Sequence, residues 1–129
     1  MFIVTVYFIA EGVDDLISSD VIRGYNDTIL LYFLLDGPSY GYELSKNIRE
    51  RSEEKYIIKE TTLYSAFSRL EKNGYIESFF GDETNGKRRT YYRITDAGRA
   101  YYREKCEEWN VTKEVVEKFI KEKLINEGI

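Results

Sequence analysis

The sequence predicts a fold that is mainly α with a small β-hairpin wing, a winged helix-turn-helix arrangement plus a long C-terminal dimerisation helix. Three observations predict it. Three segments of helix length with buried-helix or amphipathic spacing follow one another between residues 28 and 72. Two β-branched, aromatic runs then flank a polar, glycine-containing stretch, and a last segment repeats apolar residues every three or four positions from Tyr102 onward. With 129 residues and 43% apolar side chains, the chain holds one compact domain with a core of its own rather than two.

Residues 1–22 are read as an N-terminal extension, 23–95 as the winged helix-turn-helix domain and 96–129 as the dimerisation helix. The opening run Phe2 to Ala10 has strand composition. It lacks the basic flank of a signal peptide and the length of a membrane span. Glu11 to Asp20 follows as an acidic linker or a poorly ordered lead-in. Thr28 to Leu35 is apolar on nearly every side and stops at Asp36-Gly37-Pro38, which describes a short buried helix. Ser39 is placed to cap a second helix reaching Arg51, with Leu44 and Ile48 inward and Lys46, Asn47 and Arg49 outward.

The third helix is expected from about Glu60 to Lys72. Leu63, Ala66, Phe67 and Leu70 form one stripe, and Thr62, Ser65, Arg69 and Lys72 the opposing one. Asn73-Gly74 ends it with residues that tolerate positive φ. Strands at 75–80 and 89–94 flank Gly81 to Arg88, read as a long, flexible tip. Thr95 caps a final helix expected to reach about Leu124, roughly 30 residues or ~45 Å. Its seam runs through Tyr102, Cys106, Trp109, Lys113, Val116, Ile120 and Leu124, and a second copy of the chain is the economical partner for it.

Inventory narrows the chemistry. The chain has no histidine, which removes Cys/His zinc sites, Ser-His-Asp triads and imidazole switches. Its single cysteine, Cys106, cannot close an intramolecular disulfide, so a reducing, cytoplasmic setting is expected. The adjacent carboxylates Glu107-Glu108, Glu53-Glu54 and Asp14-Asp15 diverge or are solvated, and there is no phosphate-cradling glycine loop. The expectation is therefore no enzyme, no cofactor and no metal. The net charge of −4 speaks at first against nucleic-acid binding, but residues 46–95 carry eleven bases against eight acids. The excess of positive charge sits where the third helix and hairpin lie.

The stretch Thr61-Thr-Leu-Tyr-Ser-Ala-Phe-Ser-Arg-Leu-Glu-Lys-Asn-Gly-Tyr-Ile76, followed by Gly86-Lys-Arg-Arg-Thr-Tyr-Tyr-Arg-Ile-Thr-Asp-Ala-Gly98, resembles the recognition helix and wing of PadR-like transcriptional regulators. Arg23-Gly24, Leu34-Leu35 and Tyr40-Gly41-Tyr42-Glu43-Leu44 fall where that family has similar residues. The resemblance covers residues 17–124. It departs from many members at Thr61, where they have glycine, and at Ser65, where they have proline. It implies a homodimer on a roughly palindromic DNA operator, commonly a repressor released by a small molecule.

The candidate DNA-binding residues are Thr61, Thr62, Tyr64, Ser65 and Arg69 on the third helix and Lys87 and Arg88 at the wing tip. Hydroxyls and a guanidinium suit base-edge and phosphate hydrogen bonding in the major groove. Tyr64 lies at the stripe's edge, where it either reaches a phosphate or completes the core. Trp109 and Cys106 form the candidate ligand site. In a two-fold dimer, Trp109 could stack a planar hydrophobic effector against its own copy, or simply fill the interface. Cys106 reads as a small buried hydrophobe rather than a redox sensor. The competing expectation is a winged-helix module that binds protein and not DNA; the basic wing and polar outer stripe favour DNA.

Overall fold

The computed structural model describes residues 17–84 and 87–121, with the side chains of 82–84 and 87 outside that description. The strand expected at 2–10, Gly86, and the helix end expected at Leu124 lie outside the described residues. The elements run in the order α1 (Ser19–Ile22), a 3-10 turn (Arg23–Tyr25), α2 (Asn26–Leu34), α3 (Gly41–Arg51), α4 (Glu60–Lys72), β1 (Ile76–Thr84), β2 (Lys87–Ile94) and α5 (Asp96–Glu117). This is the mainly helical, winged helix-turn-helix architecture that the sequence predicts.

The acidic lead-in is helical at its end. Ser18 Oγ accepts a hydrogen bond from the Val21 N–H at 3.3 Å, capping α1. In α2, Leu30, Leu31 and Leu34 are at most 1% exposed, as the apolar run from Ile29 requires. Leu44 and Ile48 of α3 and Leu63, Ala66, Phe67 and Leu70 of α4 close the same core from the other side, with Ile76 and Tyr92 of the hairpin. Phe67 stacks on Tyr92, ring centres 4.0 Å apart, fixing α4 against β2.

Ser39 does not cap α3, whose N-cap is Tyr40 without a side-chain bond. Its backbone instead exchanges two hydrogen bonds with Tyr92, at 3.1 and 2.8 Å, forming an isolated bridge that ties the wing to the chain before α3. The hydroxyl, buried with the rest of the side chain, donates to Glu43 Oε1 at 2.5 Å. Cross-strand pairing satisfies both backbone groups of Ser39 and so wins over capping.

Gly74 leaves α4 at φ +78°, where a Cβ would strain the backbone. The hairpin ladder runs further than the sequence reading allowed: Glu83 pairs with Arg88 and Thr84 with Lys87. The dipeptide between them in the sequence, Asn85-Gly86, lies outside the described residues. A register shift between Phe80 and Glu83 places one extra residue on β1.

Thr95 caps α5 as expected, its Oγ1 accepting from Gly98 N–H at 3.0 Å while donating to the Gly74 carbonyl at 2.6 Å. The helix ends at Glu117, and Leu124 is outside the described residues. Its last turns carry Val111, Thr112, Val115 and Val116, β-branched residues that favour helix weakly, and its end tightens into i→i−3 bonds from Lys118, Phe119 and Ile120. The first half of α5 packs on α2. The second half leaves Val115 and Val116 exposed, and Phe119 and Ile120 just beyond its end are exposed as well.

Candidate nucleic-acid interface and ligand cleft

The outer surface of α4 follows from its buried one. With Leu63, Ala66, Phe67 and Leu70 inward, a helix advancing about 100° per residue turns Thr61, Ser65, Ser68 and Lys72 directly outward, and all four are exposed. Ser68 was missed by the sequence reading although it belongs to this line. Thr62 and Arg69 sit on one flank, facing a groove of about 410 Å³ between α4 and residues Arg23 to Asp27. Tyr64 sits on the other. Its ring stands edge-on to Phe67 at 5.3 Å, while the residue is 47% exposed, so it both completes the core and presents its hydroxyl.

Arg69 is not a free guanidinium. Its Nε donates to Asp27 Oδ2 at 3.1 Å and its Nη2 to Asp27 Oδ1 at 2.5 Å, a two-point fork to the first turn of α2. The hydrogen bond to Asp27 raises the Arg69 pKa further, against a smaller opposing effect of burial. No local pattern in the sequence announces a pairing across 42 positions.

At the mouth between α3 and α4, Tyr40, Tyr42, Tyr64 and Arg89 line a cleft of about 340 Å³. Gly41 makes the approach feasible, since a Cβ there would lie 2.5 Å from the Tyr64 hydroxyl. The Arg89 guanidinium lies 4.0 Å from the centre of the Tyr40 ring. Its pKa is raised, chiefly by hydrogen bonding to Tyr91. Tyr40, Tyr42 and Arg89 were not singled out as site residues; the alternation of the strand and the tyrosines flanking Gly41 were the available signals. Further along the wing, Arg88 is exposed with its guanidinium 5.3 Å from the centre of the Phe80 ring. The side chain of Lys87 lies outside the described residues.

The second candidate site is a half-open cleft of about 890 Å³ between α1 and the outer half of α5. Val21, Ile22, Tyr25, Cys106, Trp109 and Val116 supply its apolar wall, and Lys105 and Lys113 its basic one. Trp109 is 44% exposed and meets Tyr25 edge-to-face at 5.4 Å. Cys106 is half-buried. Burial, and secondarily hydrogen bonding with Cys106, pushes the Tyr102 hydroxyl up to about 12. Among the described residues there is no group of three or more acidic or cysteine side chains that could hold a metal ion. No described helix is long and apolar enough to cross a membrane.

This geometry has counterparts in known proteins. The structure of a transcriptional regulator from Clostridium thermocellum is 67% identical to the chain, covers 82% of it and all of its own length, and superposes with a TM-score of 0.77. A PadR family transcription regulator from Clostridium difficile is 35% identical over 74% of this chain and 98% of its own, TM-score 0.65. An uncharacterised protein from Lysinibacillus sphaericus is 45% identical over 105 residues, 81% of this chain and 96% of its own. The transcriptional regulator PadR-like family matches residues 30–104, from the core of α2 to the first half of α5. With that match across the helix-turn-helix, the wing and the start of the last helix, the chain belongs to the PadR-like family of transcriptional regulators.

Proposed function

We propose that the chain is a cytoplasmic repressor that binds a roughly palindromic duplex operator as a homodimer and is released by a planar aromatic compound. The observation that carries the DNA reading is the outward line of α4. From Thr61 to Lys72 it holds hydroxyls and a cation and no apolar side chain, the composition expected of a helix lying in the major groove. Thr61, Thr62 and Ser65 would reach base edges. Tyr42, Tyr64 and Arg89 would take a phosphate at the α3–α4 mouth, and Lys87 and Arg88 the neighbouring backbone.

The bare apolar row on the outer half of α5 and just beyond its end supports the dimer, because a monomer gains nothing by exposing Val116, Phe119 and Ile120 together. The adjoining cleft, within the size range of small-molecule sites, supports the effector, with Trp109 and Cys106 in its wall.

Fluorescence anisotropy on DNA from upstream of the gene, against scrambled DNA of equal length and at two salt concentrations, tests this. Expected is selective, salt-sensitive binding at two protomers per duplex. Ser65→Ala should reduce selectivity, and Lys72→Ala should weaken all sequences alike and shallow the salt slope by about one. No binding at low salt would turn the reading towards a winged-helix module that binds protein.

A further inference from the structure

Three consecutive residues at the joint between the 3-10 turn and α2 reach three different parts of the molecule. The Tyr25 ring meets Trp109 edge-on at 5.4 Å. Asn26, 4% exposed, accepts a hydrogen bond from the Tyr56 hydroxyl inside the core. Asp27 holds the Arg69 guanidinium of α4 by two hydrogen bonds, at 2.5 and 3.1 Å.

The middle residue is anchored, so the two flanking contacts issue from adjacent peptide units about a fixed point. Helix α5 lies alongside: Tyr101, Lys105 and Trp109, spaced by four, occupy one of its faces. Trp109 borders the apolar cleft, and Tyr101 borders the groove that contains Arg69. Tyr101 also stacks on Tyr75, just beyond the end of α4, with ring centres 4.2 Å apart. The side chains of Arg69 and Asp27 are 49% and 16% exposed. A partly solvated pair of this kind sets a geometry and yet can be displaced.

We propose that Asp27 is a positioning residue that couples the Trp109 cleft to the seating of α4, through the Tyr25-Asn26-Asp27 joint. The proposal rests on the DNA-binding reading above. Whatever occupies the cleft and moves Tyr25 changes how Asp27 holds Arg69, and by linkage DNA seated on α4 changes the surroundings of Trp109. The reciprocal direction needs no knowledge of the effector. Trp109 is the only tryptophan in the chain, so its emission reports the cleft without a label.

The full chain is titrated with duplex DNA from upstream of its gene, and Trp109 emission is read beside the anisotropy of the labelled duplex. In the wild type, emission changes as the duplex saturates, with the same midpoint as the anisotropy. Asp27→Asn binds within about tenfold of the wild type and loses the emission change. Arg69→Gln loses it too, carries the test should Asp27→Asn fail to fold, and adds nothing in the double variant. An emission change that survives in either DNA-binding variant overturns the coupling, as does wild-type binding with silent emission. Absence of anisotropy change at low salt overturns the DNA reading itself, and the coupling with it.

Discussion

Gly98→Ala sets two opposing effects against each other. Alanine in place of a helical glycine ordinarily gains about 1 kcal/mol. Here the new Cβ would stand 2.1 Å from the Tyr75 carbonyl oxygen, 2.8 Å from Ile94 Cγ1 and 3.0 Å from Tyr75 C. The nearest contact is backbone, so no side chain can swing aside. The same carbonyl accepts the Thr95 N–H at 3.0 Å, and the Gly98 N–H donates to Thr95 Oγ1.

Moving α5 outward by an ångström therefore strains a hydrogen bond worth about 1 kcal/mol and a cap worth about 1, besides overpacking worth about 1–3. After the propensity gain, the net is a loss of about 2–4 kcal/mol. Urea denaturation followed by circular dichroism, at one protein concentration so that the proposed self-association is held constant, should show the midpoint falling with an unchanged slope. A midpoint equal to or above the wild type would refute the close approach of α5 to the α4–β1 junction.

Gly41→Ala should behave differently, because its Cβ crowds the end of the half-exposed Tyr64 side chain and meets Leu63 Cδ2 at an ordinary 3.7 Å; stability should change by less than about 1 kcal/mol, while anisotropy shows weaker DNA binding as the Tyr64 hydroxyl is displaced. The raised Tyr102 pKa means that the folded chain holds this proton more tightly than the unfolded chain, whose tyrosines titrate near 10. That contribution is complete below about pH 10 and lost as pH rises through about 12. Urea midpoints from pH 9 to 12 should therefore fall more steeply for the wild type than for Tyr102→Phe; parallel profiles would remove this source. Val116→Asp, placing a charge in the exposed apolar row, should weaken self-association by about 100-fold or more in sedimentation velocity while leaving the circular dichroism spectrum unchanged.

The helices and hairpin were legible because each is written in local periodicity. Leu63, Ala66, Phe67 and Leu70 recur at helical spacing, Gly74 marks the exit from α4, and Thr95 stands one position before α5. Boundaries were less legible. Ser39 has the chemistry of a cap, but its partner Tyr92 is distant in sequence and comes near only once the wing folds back. The short lead into α2 lacks a run of apolar residues, and its cap at Ser18 is visible only beside Val21.

At the candidate interface, the outward line of α4 follows from its inward one, which is why Thr61 and Ser65 were accessible to sequence reasoning. Arg69 looked like a neighbour on that line; its engagement by Asp27 depends on how α2 crosses α4. The Tyr40–Arg89 contact likewise joins α3's N-cap to β2, and Trp109's meeting with Tyr25 joins α5 to the 3-10 turn. Such pairings are made by tertiary packing and leave no periodic trace.

The extra residue between Phe80 and Glu83 gives the wing a parity rule for insertions and deletions. Successive residues of a strand face opposite ways, so Arg88 and Arg89 lie on opposite sides of the ribbon: Arg89 over Tyr40, Arg88 over Phe80. Removing one residue from the bulge on β1 would regularise the ladder without altering β2. Removing one between Arg89 and Tyr91 would exchange the sides of both arginines. A change of two residues between Arg89 and Tyr91 therefore keeps each arginine on its side of the ribbon, whereas a change of one there does not.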